Sequence, residues 1–169
     1  MYSLSAIFKA VLFFFCIFLC GCAYTTQTYF LPAGIQTVHI ATFENKTDQP
    51  NIENELRLKI ISAFQNDGNL KIVPLSEADA VLTGTVKDYS RQPLRYINNE
   101  SVREYRLQIG VDFEFNALLE NKIIVKENNF FGDSSFYLTG DSVAAERQAR
   151  CSALDDLASR VLNRIVTLW

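Results

Sequence analysis

A single histidine, His39, stands among the 169 residues of this chain. That scarcity alone removes much chemistry. A Ser-His-Asp relay would have to be built on His39, and no Gly-x-Ser-x-Gly elbow accompanies it. A metal centre needs several His, Cys, Asp or Glu side chains converging, and none of the usual ligand spacings occurs. His39 therefore reads as a hydrogen-bonded strand residue. Glycine-rich phosphate loops are also missing. Gly84 stands alone in Leu82-Thr83-Gly84-Thr85 and reads as a bulge or close contact inside a strand. Neither charge dominates: Lys and Arg number 16 against 19 Asp and Glu, a net charge of −3, which leaves no electrostatic basis for nucleic-acid binding. No internal repeat or low-complexity segment is visible. A membrane-spanning run is lacking too: the longest apolar stretch, Ile7 to Cys20, has about 14 residues where a spanning helix needs about 20.

That stretch has another use. It carries Lys9 near its start and runs into Leu19-Cys20-Gly21-Cys22. A positive start, a short apolar segment and small residues before a cut site describe a secretory signal, and a cysteine at the cut describes a bacterial lipoprotein signal. Gly21 fits the position before Cys22, whereas Leu19 makes Cys20 the poorer acceptor. The expectation is a signal peptide over 1–21, acylation of Cys22, a tether over 22–34 and a single domain over 35–169. The chain from Cys22 has 169 − 21 = 148 residues and, without Lys9, a charge of 15 − 19 = −4; this is enough for one core. Of four cysteines, Cys16 and Cys20 leave with the signal and Cys22 takes the lipid. Cys151 alone remains, so an internal disulfide is excluded, and it reads as a small buried apolar residue on a helix.

The domain opens with a strand over Ile35 to Phe43, closed by Glu44-Asn45-Lys46-Thr47-Asp48. A helix follows over Ile52 to Asn66, with Asn51 as N-cap and Gly68 as left-handed C-cap. Ile52, Leu56, Ile60, Ala63 and Phe64 form its apolar stripe, and Glu55 and Lys59 are an i,i+4 pair. Extended pieces are expected at Leu70 to Val73 and Ala80 to Tyr89, then a polar loop between Ser90 and Val102. The clearest element comes next. Tyr105, Leu107, Ile109, Val111, Phe113, Phe115 and Ala117 alternate with Arg106, Gln108, Gly110, Asp112, Glu114 and Asn116, which predicts a long strand with one buried and one polar face. A turn at Glu120-Asn121-Lys122 should pair it with Ile123 to Phe131. A terminal helix is predicted from Ser142 to Leu168, with the stripe Leu154, Leu157, Val161, Ile165 and Leu168 and the i,i+4 pairs Glu146–Arg150 and Asp156–Arg160. The fold class implied is α+β, a two-layer sandwich. Two main helices pack on one face of a mostly antiparallel, mixed sheet of about four strands, and the other, polar face stays open.

No catalytic constellation emerges; Asp155-Asp156 falls on a solvated helix face. One cluster is chemically suggestive. Lys87, Arg91, Arg95, Arg103 and Arg106 lie within twenty residues, interleaved with Asp88, Glu100 and Glu104. Arg91 and Arg95 flank Pro93 at a strand exit, and a guanidinium grips phosphate oxygens bidentately. They are candidates for contact with a lipid phosphate; cross-strand pairing and solubility are the alternative role.

Several segments carry a family likeness. Gly21-Cys22-Ala23-Tyr24 resembles the Gly-Cys-Gly-Tyr opening common in the lipopolysaccharide-assembly lipoprotein family LptE. The resemblance continues through Val38-His39-Ile40-Ala41-Thr42-Phe43-Glu44-Asn45-Lys46-Thr47, through Ala78-Asp79-Ala80-Val81-Leu82-Thr83-Gly84-Thr85-Val86 and Glu104-Tyr105-Arg106-Leu107, and into the Ala-rich final helix. Segments with Phe43-Glu44-Asn45 are also similar to other small outer-membrane lipoproteins. The resemblance implies an accessory subunit, not an enzyme; no metal or cofactor is expected. It would plug the lumen of the outer-membrane β-barrel LptD, help that barrel fold, bind lipopolysaccharide and aid its insertion into the outer leaflet. Ala23, where Asp would signal inner-membrane retention, agrees with an outer-membrane location facing the periplasm. The other reading is a binding lipoprotein of a different envelope machine, for secretion or peptidoglycan synthesis. Arg91 and Arg95 are not carried over from the family; they rest on their own chemistry.

Overall fold

The computed structural model describes residues 34–97, 101–138 and 142–166. Strand β1 (Thr37–Ile40) and the short β2 (Glu44–Asn45) precede helix α1 (Ile52–Asp67). Strand β3 (Lys71–Ile72) and a 3-10 turn (Leu75–Glu77) lead into three long strands, β4 (Ala80–Ile97), β5 (Ser101–Ala117) and β6 (Lys122–Tyr137). Helix α2 (Ser142–Val166) closes the described chain.

The α+β class and the two helices on one mixed sheet hold. The expected strand number does not: the sheet has six strands, in the order β3-β1-β4-β5-β6 with β2 also on β4. Only β4-β5-β6 is an antiparallel meander; β1 runs parallel to both β3 and β4. The cause is α1, which returns the chain between β1 and β3 and so forces a parallel pair. The extra strands are two residues long, too short to show a period in sequence. Ile35 to Phe43 is likewise not one strand. The chain bends after Ile40, drives Phe43 into the core, and resumes pairing at Glu44. Gly84 accepts that bend, because a Cβ there would strike the Phe43 ring and the Asp112 carbonyl.

Among the described residues both predicted stripes are buried, apart from Ala63, which is only partly so. Ile52, Leu56, Ile60 and Phe64 of α1, and Leu154, Leu157, Val161 and Ile165 of α2, are at most 1% exposed. They cover the face presented by Leu107, Ile109, Val111, Phe113 and Phe115. Leu168 lies outside the described residues. Gly68 takes the left-handed cap, φ 75°, and its N–H donates to the Phe64 carbonyl. Asn51 stands at the N-cap, but its backbone is left-handed (φ 66°) and its side chain caps no helical amide; its Oδ1 accepts from Asn54 instead.

The local ion pairs are mostly redirected. Glu55 bonds Arg150 rather than Lys59, and Lys59 bonds Asp155, each at 2.9 Å. The two helices therefore lie side by side in one direction, stitched by charges that sequence spacing assigns within each helix. Asp156 and Arg160 do pair (3.5 Å), and they do more. Arg160 donates to the Phe131 carbonyl at 2.7 Å, and Asp156 accepts from the Asp133 amide at 3.1 Å. These backbone groups face outward on the edge strand β6, and exposed edges invite pairing with other chains. An Asp156→Ala, Arg160→Ala double variant should stay folded but self-associate as concentration rises, seen as a shift to larger species in sedimentation velocity. A strictly monomeric variant would remove this role.

At the other end of the sheet Asp79 ties the incoming chain to β4. Its Oδ2 accepts from the amides of Gln36 (3.0 Å) and Thr37 (2.9 Å) and from the Thr37 hydroxyl (2.7 Å). The Thr37 hydroxyl and these amides hold the Asp79 carboxyl below its usual range. A lowered folded-state pKa gives stabilisation that is present above the unfolded value, near 4, and lost as pH falls through the folded value. The protection factors of the Gln36 and Thr37 amides against hydrogen exchange should fall selectively under acid, relative to the other β1 amides, and an Asp79→Asn variant should lose that pH dependence.

Candidate functional site

The strand alternation places two dissimilar surfaces on β4-β5-β6. One is the core beneath the helices. On the other, Arg106, Gln108, Asp112 and Glu114 of β5 stand beside Thr83, Thr85 and Lys87 of β4 and Lys126 and Asp133 of β6. The charges alternate across strands: Lys126–Glu114 at 2.6 Å, Lys87–Asp112 at 2.5 Å, Arg106–Asp133 at 3.6 Å. Lys87 and the Asn129 amide hold the Asp112 carboxyl below its ordinary range, and Glu114 raises the Lys126 ammonium. Exposed pairs of this kind contribute about 0–1 kcal/mol each, so stability does not account for them; they make a charge-balanced, polar surface. A shallow recess of about 340 Å³ runs between Thr83, Thr85, Asp112, Glu114 and Lys126. Phe131 is the aromatic exception. It lies over Gly110, where a Cβ would come within 2.5 Å of its ring.

The second feature was hidden in sequence. The predicted polar loop from Ser90 to Val102 is largely strand: β4 continues to Ile97 and β5 begins at Ser101. Likewise β6 runs past Phe131 to Tyr137. Three strands thus extend beyond the part of the sheet that β1 and β2 flank. Pro93, which argues against a strand, is tolerated because among the described residues β4 has no neighbour on its far side beyond Val86. On the helix side of this extension, Tyr105 and Phe136 stack at 5.8 Å. They floor a cleft of about 370 Å³ bounded by Arg91, Leu138, Ser142 and Glu146. Glu146 accepts from Arg91 (3.1 Å) and from the Tyr89 hydroxyl (3.2 Å). Burial, with the Glu146 carboxylate adding to it, pushes the Tyr89 hydroxyl up to about 12.

The structure separates the two candidate arginines. Four positions apart on a regular strand they would share a face. Pro93 pairs with Tyr105 and Arg95 with Glu104, so a bulge at Leu94 intervenes. Arg91 points to the helix side and Glu146, while Arg95 turns to the opposite side and lies 3.8 Å from Glu104. Both remain more than half exposed. His39 Nδ1 sits 3.1 Å from the Val73 carbonyl, on strand β1. Cys151 is exposed, not buried; it falls on the side of α2 that faces away from the sheet. Cys22 lies outside the described residues. Among the described residues no cluster of potential metal ligands occurs and no helix is long and apolar enough to cross a membrane.

The sequence profile of the LptE lipopolysaccharide-assembly family matches residues 35–166, from the start of the sheet to the end of α2. The chain belongs to the LptE family. That family is one of non-enzymatic assembly lipoproteins of the cell envelope, and it works with LptD and lipopolysaccharide. No curated protein matches this chain in sequence. Solved structures share its fold. The PelC dodecamer subunit of Paraburkholderia phytofirmans is 14% identical, with a TM-score of 0.54 over 82% of this chain and 95% of that one. A Caulobacter crescentus lipoprotein is 15% identical (TM-score 0.53, 75% and 89% covered). A minor lipoprotein of Acinetobacter baumannii is also 15% identical (0.52, 78% and 92%). At such identities the likeness speaks for the fold alone.

Proposed function

We propose that this LptE-family protein is an outer-membrane lipoprotein, held by acyl chains on Cys22 after loss of residues 1–21. In this reading it plugs the LptD barrel, assists its folding, and contacts lipopolysaccharide during insertion into the outer leaflet. One observation carries the proposal: the uncovered sheet face is a lattice of cross-strand ion pairs and hydroxyls rather than an apolar surface. The lumen wall of a large outer-membrane barrel is polar and hydrated, and a charge-balanced plane can rest against it without burying unpaired charge. Arg91 and Arg95 are proposed as separate phosphate contacts on the two sides of the extension, each exchanging its carboxylate partner for a phosphate oxygen.

Solubilised outer membranes carrying a Lys87→Glu, Lys126→Glu variant should yield far less co-purified barrel than those carrying the parent chain, at equal levels of the lipoprotein. Recovery of an unrelated envelope complex without a large barrel would reject the LptD reading. Hydrogen bonds to charged groups contribute about 1.5–3 kcal/mol, so Arg91→Ala and Arg95→Ala should each weaken lipopolysaccharide binding about tenfold. Unchanged affinity in the double variant removes the arginines from the proposal.

A further inference from the structure

Exposed apolar side chains gather at both ends of the sheet. The far end of the extension carries Leu94, Tyr96, Tyr137 and Leu138. The opposite end carries the β5–β6 turn, where Leu119 is 85% exposed, with Leu118 and Ile123 on either side of it and Leu75 of the 3-10 turn on the same pole. Nothing within the described fold covers Leu119. The turn is nevertheless fixed. The Leu118 amide donates to the Asp79 carbonyl at 2.8 Å, the Asn121 amide donates back to the Leu118 carbonyl, and Asn121 takes a left-handed backbone (φ 48°). Asp79 in turn holds the amides of Gln36 and Thr37. The turn, the start of β4 and the incoming chain at Gly34–Gln36 therefore form one rigid pole.

We propose that this pole is a second membrane contact, with Leu119 and Ile123 inserted into the same leaflet that receives the acyl chains of Cys22. The proposal rests on the reading of Cys22 as the lipid attachment site. Twelve positions separate Cys22 from Gly34, and twelve residues reach at most about 40 Å. The 18 residues of β4 set the two poles roughly 55 Å apart at ~3.3 Å per residue. The pole at which the anchor enters is thus the one held at the leaflet. Its apolar residues are aliphatic, without the Trp, Tyr or Arg anchors that dominate protein interfaces. Its charges offset one another, with Lys71 and Lys122 against Glu77 and Glu120, so the contact draws on apolar burial and not on attraction to anionic headgroups. An inserted turn would also fix the tilt of the sheet relative to the membrane, which lipid on a tether cannot do.

The test uses the full chain, expressed with its signal, acylated and purified into vesicles of phosphatidylethanolamine and phosphatidylglycerol. Trp169 is replaced by Phe, and a single tryptophan is introduced as Leu119→Trp or, at the far pole, as Tyr96→Trp. Brominated acyl chains should quench most of the fluorescence at position 119 and little at 96, with no change on adding salt. Mass spectrometry reports acylation independently. An acylated protein whose position 119 is not quenched overturns the membrane contact while leaving the anchor intact. A chain that carries no lipid overturns the Cys22 reading; quenching at 119 in that chain would support the contact on its own. Quenching that vanishes only when a protein partner is added assigns the turn to that partner and overturns the proposal.

Discussion

Replacing Gly132 with alanine should destabilise the domain by about 3 kcal/mol, the upper end of ordinary overpacking costs. Gly132 lies in β6 on the core face, opposite Ile109. A Cβ there would stand 2.5 Å from the Leu157 Cβ, 2.6 Å from the Leu157 amide nitrogen and 2.7 Å from the Ala153 carbonyl. Two of these are helix backbone atoms, so no rotamer change relieves the clash; α2 itself has to move. Its displacement would also pull Arg160 and Asp156 from the β6 edge. Urea unfolding of the soluble domain measures the loss, and the midpoint should fall without a change in slope. Gly68→Ala is the matched control. Nothing lies within 4 Å of that position, so only the left-handed backbone at φ 75° opposes the substitution, a cost of about 1–2 kcal/mol. Equal losses in the two variants would show that helix α2 does not rest on Gly132.

Truncating Phe113 to alanine should cost about 3–5 kcal/mol, the usual range for a buried Phe. Its ring is 1% exposed and meets Phe130 edge-on, with centroids 5.3 Å apart at 82°. The Arg160 guanidinium lies over the other ring, 6.0 Å from its centroid. Loss of Phe113 therefore leaves a cavity between sheet and helix and also loosens an aromatic pair that contributes about 0.5–1.5 kcal/mol beyond burial. Domains of this size are stable by only about 5–15 kcal/mol, so the variant should be near its unfolding midpoint at modest urea. Phe131→Ala is the contrast. That ring shields Gly110 on the open face and is only partly buried, so its loss should be clearly smaller by the same measurement. A Phe131 effect as large as that of Phe113 would mean that the open face carries a core of its own.

The candidate site was only partly legible in sequence. The open polar face follows from the alternation of β5, because strand periodicity is local and its polar set is visible as Arg106, Gln108, Asp112 and Glu114. The extension was not. Ser90 to Ile97 is polar and contains Pro93, so local propensity speaks for a loop; what makes it strand is the pairing offered by Ser101 to Gln108, residues reached only after the chain turns back. The separation of Arg91 from Arg95 depends on one bulged residue, Leu94, and a single-residue slip reverses the face of everything beyond it. Cys151 reads as buried on composition, yet the helix turns it outward.

From sequence alone came the α+β class, both helices with their buried stripes and the Gly68 cap. The long two-faced strand and the likeness to the LptE family came from the same source. Each depends on residue type or on spacing within a dozen positions. Tertiary structure decided what depends on neighbours distant in the chain. It set the parallel placement of β1 and the six strands, and it gave Glu55, Lys59 and Glu146 partners on other elements. It also made Gly132 a seat for α2 and Asp79 the knot that binds the incoming chain to the β5–β6 turn. A hydrogen-bonding group or a glycine has the same local signature wherever it lies. Only the partner that folding brings to it gives it a role.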